Sequence, residues 1–227
     1  MTEKRYAVAV DGPSGAGKST LAKAVAKELR ITYVDTGAIY RVIGLAAFRR
    51  GVAPRDGAAV TAILPELEIG IRHGEDGFQR MYLNGEDVTE DIRLPQISMY
   101  ASDVSALPPV RAFLLDMQRK FARERSVVMD GRDIGTVVLP DAAVKIFLTA
   151  DAEVRAKRRC LELEQRGTPK PYDVVLRELR ERDFNDSHRD IAPLAQADDA
   201  VLVDTSDLDF EQSKALLLKT IREKLGK

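Results

Sequence analysis

The sequence predicts an α/β fold: a mostly parallel sheet with helices on both faces and a small antiparallel sheet inserted into it. Three observations lead there. Short apolar runs alternate with stretches of helical periodicity along nearly all of the 227 residues, as repeated strand–helix–strand units require. The first run passes through a glycine-rich turn straight into a helical pattern, the order that opens such a unit. Near the middle, three short, partly alternating runs are split by His73-Gly74-Glu75-Asp76-Gly77 and by Asn84-Gly85. Asn-Gly between such runs is a strong hairpin signal.

Residues 6–10 form a continuous apolar run ending at Asp11, suited to a strand buried on both faces. Over 18–29, Leu21, Ala22, Val25 and Leu29 recur at helical spacing among Ala, Lys and Glu, so a helix is expected. Residues 31–34 read as the next strand, and 40–48 as a helix closed by Arg49-Arg50-Gly51. The runs at 67–71, 79–83 and 86–88 make the antiparallel insert. Pro108-Pro109 precedes a helix over 110–124, since proline is tolerated in a first helical turn. Val127-Val128-Met129 is an apolar strand leading into Asp130-Gly131-Arg132-Asp133. Residues 144–148 are a strand, 151–165 a highly charged helix, 167–171 a loop, and 172–188 a helix stopped before Pro193. The last strand is 200–203 and the last helix 210–225. There is neither an internal repeat nor a low-complexity tail, and the length fits one large domain, 1–227.

Composition narrows the function classes. The chain is 44% hydrophobic and 31% charged, ordinary globular usage that rules out global disorder. Lys and Arg total 35 against 36 Asp and Glu, a formal charge of -1. A protein that grips nucleic acid by neutralising its backbone carries a basic excess, so no nucleic-acid partner is expected and anion recognition must be local. Cys160 is the single cysteine, which excludes an intrachain disulfide and a zinc site of several cysteines. His73, in an expected turn, and His188 make no metal site and read as structural or surface residues. No run approaches the roughly 20 apolar residues of a membrane helix, and MTEKRYAVAV has no signal-peptide pattern. A cytoplasmic protein with no membrane partner is expected, and nothing demands more than a monomer.

Gly12-Pro13-Ser14-Gly15-Ala16-Gly17-Lys18-Ser19 fits G-x-x-x-x-G-K-[ST] at every fixed position, with Thr20 following. Glycines let the backbone fold back and aim its N–H groups at phosphate oxygens, and the next helix adds its positive dipole end. Lys18 can reach the β- and γ-phosphates, and Ser19 can ligate Mg²⁺ carried with ATP. A glycine-rich turn with no ligand is the bland alternative; the strand before the motif and the helix after it favour the phosphate cradle. The chain is thus a P-loop nucleotide-binding protein. The guanine-reading N-K-x-D of a GTPase is absent, and the chain is short for a motor or AAA-type ATPase. A small P-loop fold with an insert suggests a kinase for a small acceptor.

Candidates for the acceptor side lie at other strand exits on the same edge, where α/β folds bind ligands. Asp35-Thr36-Gly37-Ala38-Ile39-Tyr40-Arg41 leaves the second strand. Asp130-Gly131-Arg132-Asp133 leaves another, whose apolar lead-in resembles a Walker B strand ending in Asp130. Taken singly, either segment could be a surface salt bridge or a helix cap. On the helix from Tyr172 the apolar stripe Tyr172, Val175, Leu176, Leu179 continues into Arg182, Asp186 and Arg189, at about 100° per residue. Charges on an inward face need partners or a ligand, unless the helix end lies beyond the packed core. Arg155, Arg158 and Arg159 share a face of the preceding helix. They form either an ordinary charged face or, beside the hinged loop at 167–171, part of a closing lid.

Four segments in order closely resemble the bacterial cytidylate kinases of the P-loop nucleoside monophosphate kinase family: DGPSGAGKST, DTGAIYR, DGRDIGTVV with the following PDAAVKIFL, and ERDFNDSHRDIAPL. The resemblance covers nearly the whole length. It implies a P-loop kinase fold with core regions at 1–40, 103–154 and 172–227, a lid at 155–171, and a monophosphate-binding region at 41–102 enlarged by the insert at about 67–88. It implies transfer of the γ-phosphoryl group of ATP, with Mg²⁺, to CMP or dCMP. Thr36 stands where the family commonly has a serine that contacts the acceptor nucleotide; threonine keeps the hydroxyl and adds a methyl. Arg41 is similar to the family's acceptor-phosphate arginine. Ser102, Arg111 and Asp133 lie where the family reads cytosine. Arg132 and Arg189 match its phosphate-side arginines, and Arg182 and Asp186 match residues near the acceptor sugar. Asp130 is counted with this acceptor set.

The chemistry explains why such residue types are needed. Cytosine carries an N4 amino donor where uracil has a carbonyl oxygen. A carboxylate such as Asp133 accepts from the first and repels the second. Phosphoryl transfer redistributes negative charge between two anions, so Mg²⁺, Lys18, Arg132 and Arg189 should screen it. A lid should exclude water, with Arg155 and Arg159 as donors at the transferring phosphate. From sequence alone two other readings stay open. One is a kinase of the same architecture for UMP or a shikimate-like alcohol, which the insert and Asp133 oppose. The other is a nucleotide-regulated binding module, which a second anion pocket opposes.

Overall fold

The computed structural model describes residues 5–74 and 79–226. Within the turn expected at 73–77, Glu75, Asp76 and Gly77 lie outside the described residues, as do Met1 to Lys4. The elements are β1 (Ala7–Asp11), α1 (Lys18–Leu29), β2 (Thr32–Asp35), α2 (Thr36–Arg49), α3 (Gly57–Ile63), β3 (Ile69–His73), β4 (Gln79–Leu83), β5 (Glu86–Asp87), α4 (Pro95–Ser105), α5 (Pro108–Glu124), β6 (Val127–Gly131), β7 (Val144–Thr149), α6 (Ala152–Gln165), α7 (Tyr172–His188), β8 (Val201–Asp204) and α8 (Phe210–Leu225).

Five strands pair in parallel in the order β2-β6-β1-β7-β8. The central strands β1 and β6 are covered on both faces and are buried along nearly their whole length, whereas β7 alternates and β8, at the edge, is largely exposed. Period-two geometry still sorts their side chains. Val8 and Val10 point into a cluster with Leu21 and Val25 of α1 and Leu217 and Ile221 of α8. Ala9 points the other way, into a cluster with Ile39 and Ile43 of α2, Val104 of α4 and Leu114 of α5. The parallel register carries Asp11 opposite Gly131 and Asp35 opposite Asp130. Three consecutive strand exits therefore meet along one edge, and three carboxylates stand on it.

Smaller bodies flank this frame. α6 and α7 pack on each other around Ala156, Leu163, Val175 and Leu179, with Cys160 and Leu176 against them. β3, β4 and β5 form the expected antiparallel insert. Its tight turn places Asn84 at φ 50° and Gly85 at φ 85°, as a type I′ hairpin requires. His73 ends β3 and is not a turn residue: its Nε2–H donates to the Tyr33 carbonyl at 2.8 Å. Gln79 holds both backbone polar groups of Asp35 at the end of β2, accepting from Asp35 N at 2.9 Å and donating to Asp35 O at 3.2 Å.

Three further differences from the sequence reading have local causes. α2 begins at Thr36, ahead of the expected residue 40, because Asp35 caps it by accepting from Ala38 N at 2.9 Å. α3 and α4 were not expected; α3 is capped by Asp56, and α4 starts at Pro95 and buries Ile97, Ala101 and Val104. After β6 the chain makes a π-helical turn, Ile134–Val138. No helix among the described residues is long and apolar enough to cross a membrane.

Candidate active site

The loop between β1 and α1 is bent around glycine. Gly12 sits at φ 148°, and a Cβ there would land on the Leu148 carbonyl of β7. Gly17 caps α1 with no side chain of its own. The N–H groups of the first helical turn therefore keep their hydrogen-bonding capacity for a ligand. Lys18 is buried, its Nζ donating to Pro13 O at 2.7 Å. Burial, with the positive charge of Arg132, pulls its ammonium well below the usual lysine range. A polyphosphate placed against it would restore the charge.

Ser19 Oγ donates to Asp130 Oδ2 at 2.7 Å, and Tyr33 OH donates to Asp130 Oδ1 at 2.9 Å. Burial pushes the Asp130 carboxyl up to about 6, and nearby Asp35 adds to it. Asp130 thus links the start of α1, through Ser19, to β2, through Tyr33. Its backbone carbonyl accepts from Thr36 Oγ1 at 2.7 Å. Asp11 accepts from Ile134 N at 2.8 Å and Gly135 N at 2.7 Å. Its carboxyl is also pushed up to about 6 by burial, despite those two donors. It ties the strand that bears the phosphate loop to the segment that bears Arg132 and Asp133.

Opposite Lys18 the guanidinium groups converge. Arg132 Nε donates to Asp186 Oδ2 at 2.7 Å. Arg182 Nε is buried with no hydrogen-bond partner among the described residues. Burial and the charge of Arg132 bring Arg182 down to about 10, and Arg41 acts in the same direction. Lys18 is in turn influenced by Arg132 and Arg182. Lys18, Arg41, Arg132 and Arg182 therefore form one cationic field. Burial pushes the Asp186 carboxyl up, but Arg132 and Arg182 hold it below the usual range. Asp133 lies beside this field, paired with Arg111 and, at 3.3 Å, with Arg189. Burial pushes its carboxyl up in spite of both arginines. Arg111 also donates to Ser105 O at 3.1 Å and lies over the Tyr40 ring at 5.7 Å. Ser102 lies on α4 one turn before Ser105, its carbonyl accepting from Ser105 Oγ at 2.7 Å.

The three arginines of α6 do not converge. Arg155 is buried against the phosphate loop, Arg158 donates to Thr205 O at 2.6 Å, and Arg159 pairs with Glu162 on its own helix. The helix puts them on one face, as expected, but three different elements take them up. His188 stacks on Phe184 at the exposed end of α7. Asp11, Tyr33, Gln79 and Asp183 belong to the site region and were not singled out by sequence reasoning. Their partners lie far away in sequence, and no local spacing marks them.

A glycine hairpin on one side of the crevice faces inward-turned arginines on the other, along the carboxyl edge of a parallel sheet. This is the architecture of a P-loop kinase acting on an anionic acceptor. The cytidylate kinase family model matches residues 8–223. A cytidylate kinase from Caldicellulosiruptor bescii is 49% identical over 209 residues, 92% of each chain. One from Carboxydothermus hydrogenoformans is 48% identical over 217 residues, 96% of this chain and 97% of the other. The chain belongs to the cytidylate kinase family. A solved structure of an uncharacterized protein from Eubacterium ventriosum superposes with a TM-score of 0.53 at 14% identity, over 96% of this chain and 98% of that one, a likeness of fold.

Proposed function

We propose that the chain transfers the γ-phosphoryl group of ATP to CMP or dCMP, giving ADP and CDP or dCDP. The observation that carries this reading is the buried Asp133 carboxylate, held by two arginines beside the cationic field that faces Lys18. A switch protein needs no such second pocket, and a base carrying an amino donor suits the carboxylate.

ATP lies along residues 12–20. Loop and helix N–H groups take its phosphates, and Lys18 spans the β- and γ-groups. Ser19 and Asp130 offer two hard oxygen donors 2.7 Å apart. No cluster of three or more His, Cys, Asp or Glu side chains among the described residues offers a full cage. That suits Mg²⁺, which binds through one or two protein oxygens with water and phosphate completing its shell. When bound, Mg²⁺ neutralises the charge of the β- and γ-phosphates. On the acceptor side, Thr36, Arg41, Arg132 and Arg189 hold the monophosphate, Arg182 and Asp186 the sugar, and Ser102, Arg111 and Asp133 the base. Arg159 is held by a half-exposed pair worth about 0–1 kcal/mol, so it is free to turn toward the transferring group. No side chain need act as a strong base, because positioning and charge carry this reaction. Every group comes from one chain, so a monomer suffices, and both substrates are cytoplasmic nucleotides.

ADP formation with ATP-Mg²⁺ and CMP, dCMP, UMP, AMP or no acceptor tests the reading. The expected result is formation dependent on CMP or dCMP. Acceptor-independent hydrolysis, or a faster reaction with another acceptor, overturns it. In the same assay Asp133→Ala should cut the preference for CMP over UMP by about 10–100-fold, one base contact's worth. The ratio is the readout because the stranded Arg111 costs roughly 3–5 kcal/mol of stability, which affects both acceptors alike. An unchanged ratio removes Asp133 from base recognition.

A further inference from the structure

Both backbone polar groups of Ser14 in the phosphate loop are held by one ion pair. The Ser14 N–H donates to Asp183 Oδ1 at 2.9 Å, and the Ser14 carbonyl accepts from Arg155 Nη1 at 2.7 Å. The same Nη1 lies 2.6 Å from Asp183 Oδ2. Arg155 is fixed from behind, its Nε donating to Ala150 O at 2.8 Å, with its side chain 8% exposed. The contact continues at Gly15, where a Cβ would lie 3.4 Å from Leu179 Cδ2 and 3.5 Å from the Arg155 Cβ. Leu179 and Asp183 are one turn apart on α7. One helix face thus delivers an apolar contact to Gly15 and a carboxylate to Ser14.

We infer that Asp183 is a positioning residue for the transfer reaction: together with Arg155 it fixes the two peptide units that flank Ser14 and locks the α6–α7 hairpin to the phosphate loop. The inference rests on the kinase reading above. A loop that works by aiming N–H groups gains from peptides that cannot flip, because the orientation is set before the triphosphate arrives. The two peptide units that flank Ser14 are each anchored, one by a group from α7 and the other by a group from α6, so loop order and seating of the hairpin are one event. An ion pair serving only to join α6 and α7 would leave the loop out. Here both partners bond it. Loss of Asp183 therefore acts on ATP and on water exclusion, and leaves the base pocket around Asp133 alone.

The test compares Asp183→Ala and Asp183→Asn with wild type. ATP affinity is measured by calorimetry, and steady-state kinetics are recorded with each substrate varied in turn. Asp183→Ala should weaken ATP binding about tenfold or more, as loss of a charged hydrogen bond does, and lower kcat, with KM for CMP within about twofold of wild type. Asp183→Asn keeps an acceptor for the Ser14 N–H and should fall between the two. Acceptor-independent ATP hydrolysis should rise relative to transfer, because an unlocked hairpin admits water. Asp183→Ala should add little to Arg155→Met, since the pair acts as a unit. Unchanged ATP affinity, or equal losses toward both substrates with a lowered melting temperature, overturns the inference. The isosteric asparagine keeps the comparison open should alanine fail to fold. A wild type that does not phosphorylate CMP defeats the kinase reading, while ATP affinity still judges Asp183. An active wild type with an indistinguishable Asp183→Asn and Asp183→Ala defeats this inference alone.

Discussion

Asp130 ends β6 with one carboxylate oxygen bonded by Ser19 and the other by Tyr33. Burial and Asp35 raise it from 3.8 to about 6. Between those values the folded chain binds more protons here than the unfolded one. Its contribution to stability therefore falls as pH rises through that window. Above pH 6 the buried charge stands as a net cost on the order of 2–3 kcal/mol. Asp130→Asn should then melt several degrees above wild type at pH 8, at about 2–4 °C per kcal/mol. It should also lose about 100-fold or more in phosphoryl transfer, the order seen when a group stabilising transition-state charge is removed. Differential scanning calorimetry and the ADP assay check the two halves; a lower melting temperature with full activity contradicts both. Residues of this kind divide by legibility. Lys18 and Ser19 were readable because their motif is contiguous and its spacing mechanical. Arg111 and Ser102 were reachable only through family resemblance. Asp11 and Asp183 were not legible, because their roles depend on backbone groups more than 100 residues away.

At the scale of elements, Gln79 and His73 bond the insert to β2. Gln79 holds both backbone polar groups of Asp35, and Asp35 caps the helix that begins with Thr36. Gln79→Leu keeps the volume and strands those groups, a loss of about 1–3 kcal/mol. KM for CMP should rise several-fold while KM for ATP stays near wild type. Equal rises in both KM values would show that the bracket serves general stability only. Regular helices were legible end to end: α1, α7 and α8 keep the expected bounds. The two missed helices are opened by an aspartate cap or a proline; α3 is only seven residues long, while α4 buries Ile97, Ala101 and Val104 behind a polar run. The π-turn was unreadable for a different reason. Ile-Gly-Thr-Val-Val favours a strand by composition, and Asp11 overrides it by capturing the Ile134 and Gly135 N–H groups.

For the whole molecule, a formal charge of -1 coexists with a concentrated cationic field. The strand order β2-β6-β1-β7-β8 explains it: the exits bearing Thr36, Arg132 and the phosphate loop are neighbours. Many of the other arginines and lysines sit in surface pairs such as Arg49–Glu86 and Lys170–Glu178. Fold class was legible because alternating apolar runs and helical stretches dictate a parallel sheet, and such sheets bind ligands where these exits meet. The posture of the α6–α7 hairpin was not, since no sequence period encodes which arginine meets which carbonyl. The central claim is that two nucleotides meet end to end in this cleft. Calorimetry with adenosine and cytidine joined 5′ to 5′ through five phosphates, in Mg²⁺, tests it most directly. The joined molecule should bind at least about 100-fold more tightly than ATP or CMP alone, since the second contact becomes intramolecular, and should exclude both. Binding no tighter than ATP, with CMP still taken up by the filled protein, would contradict the account.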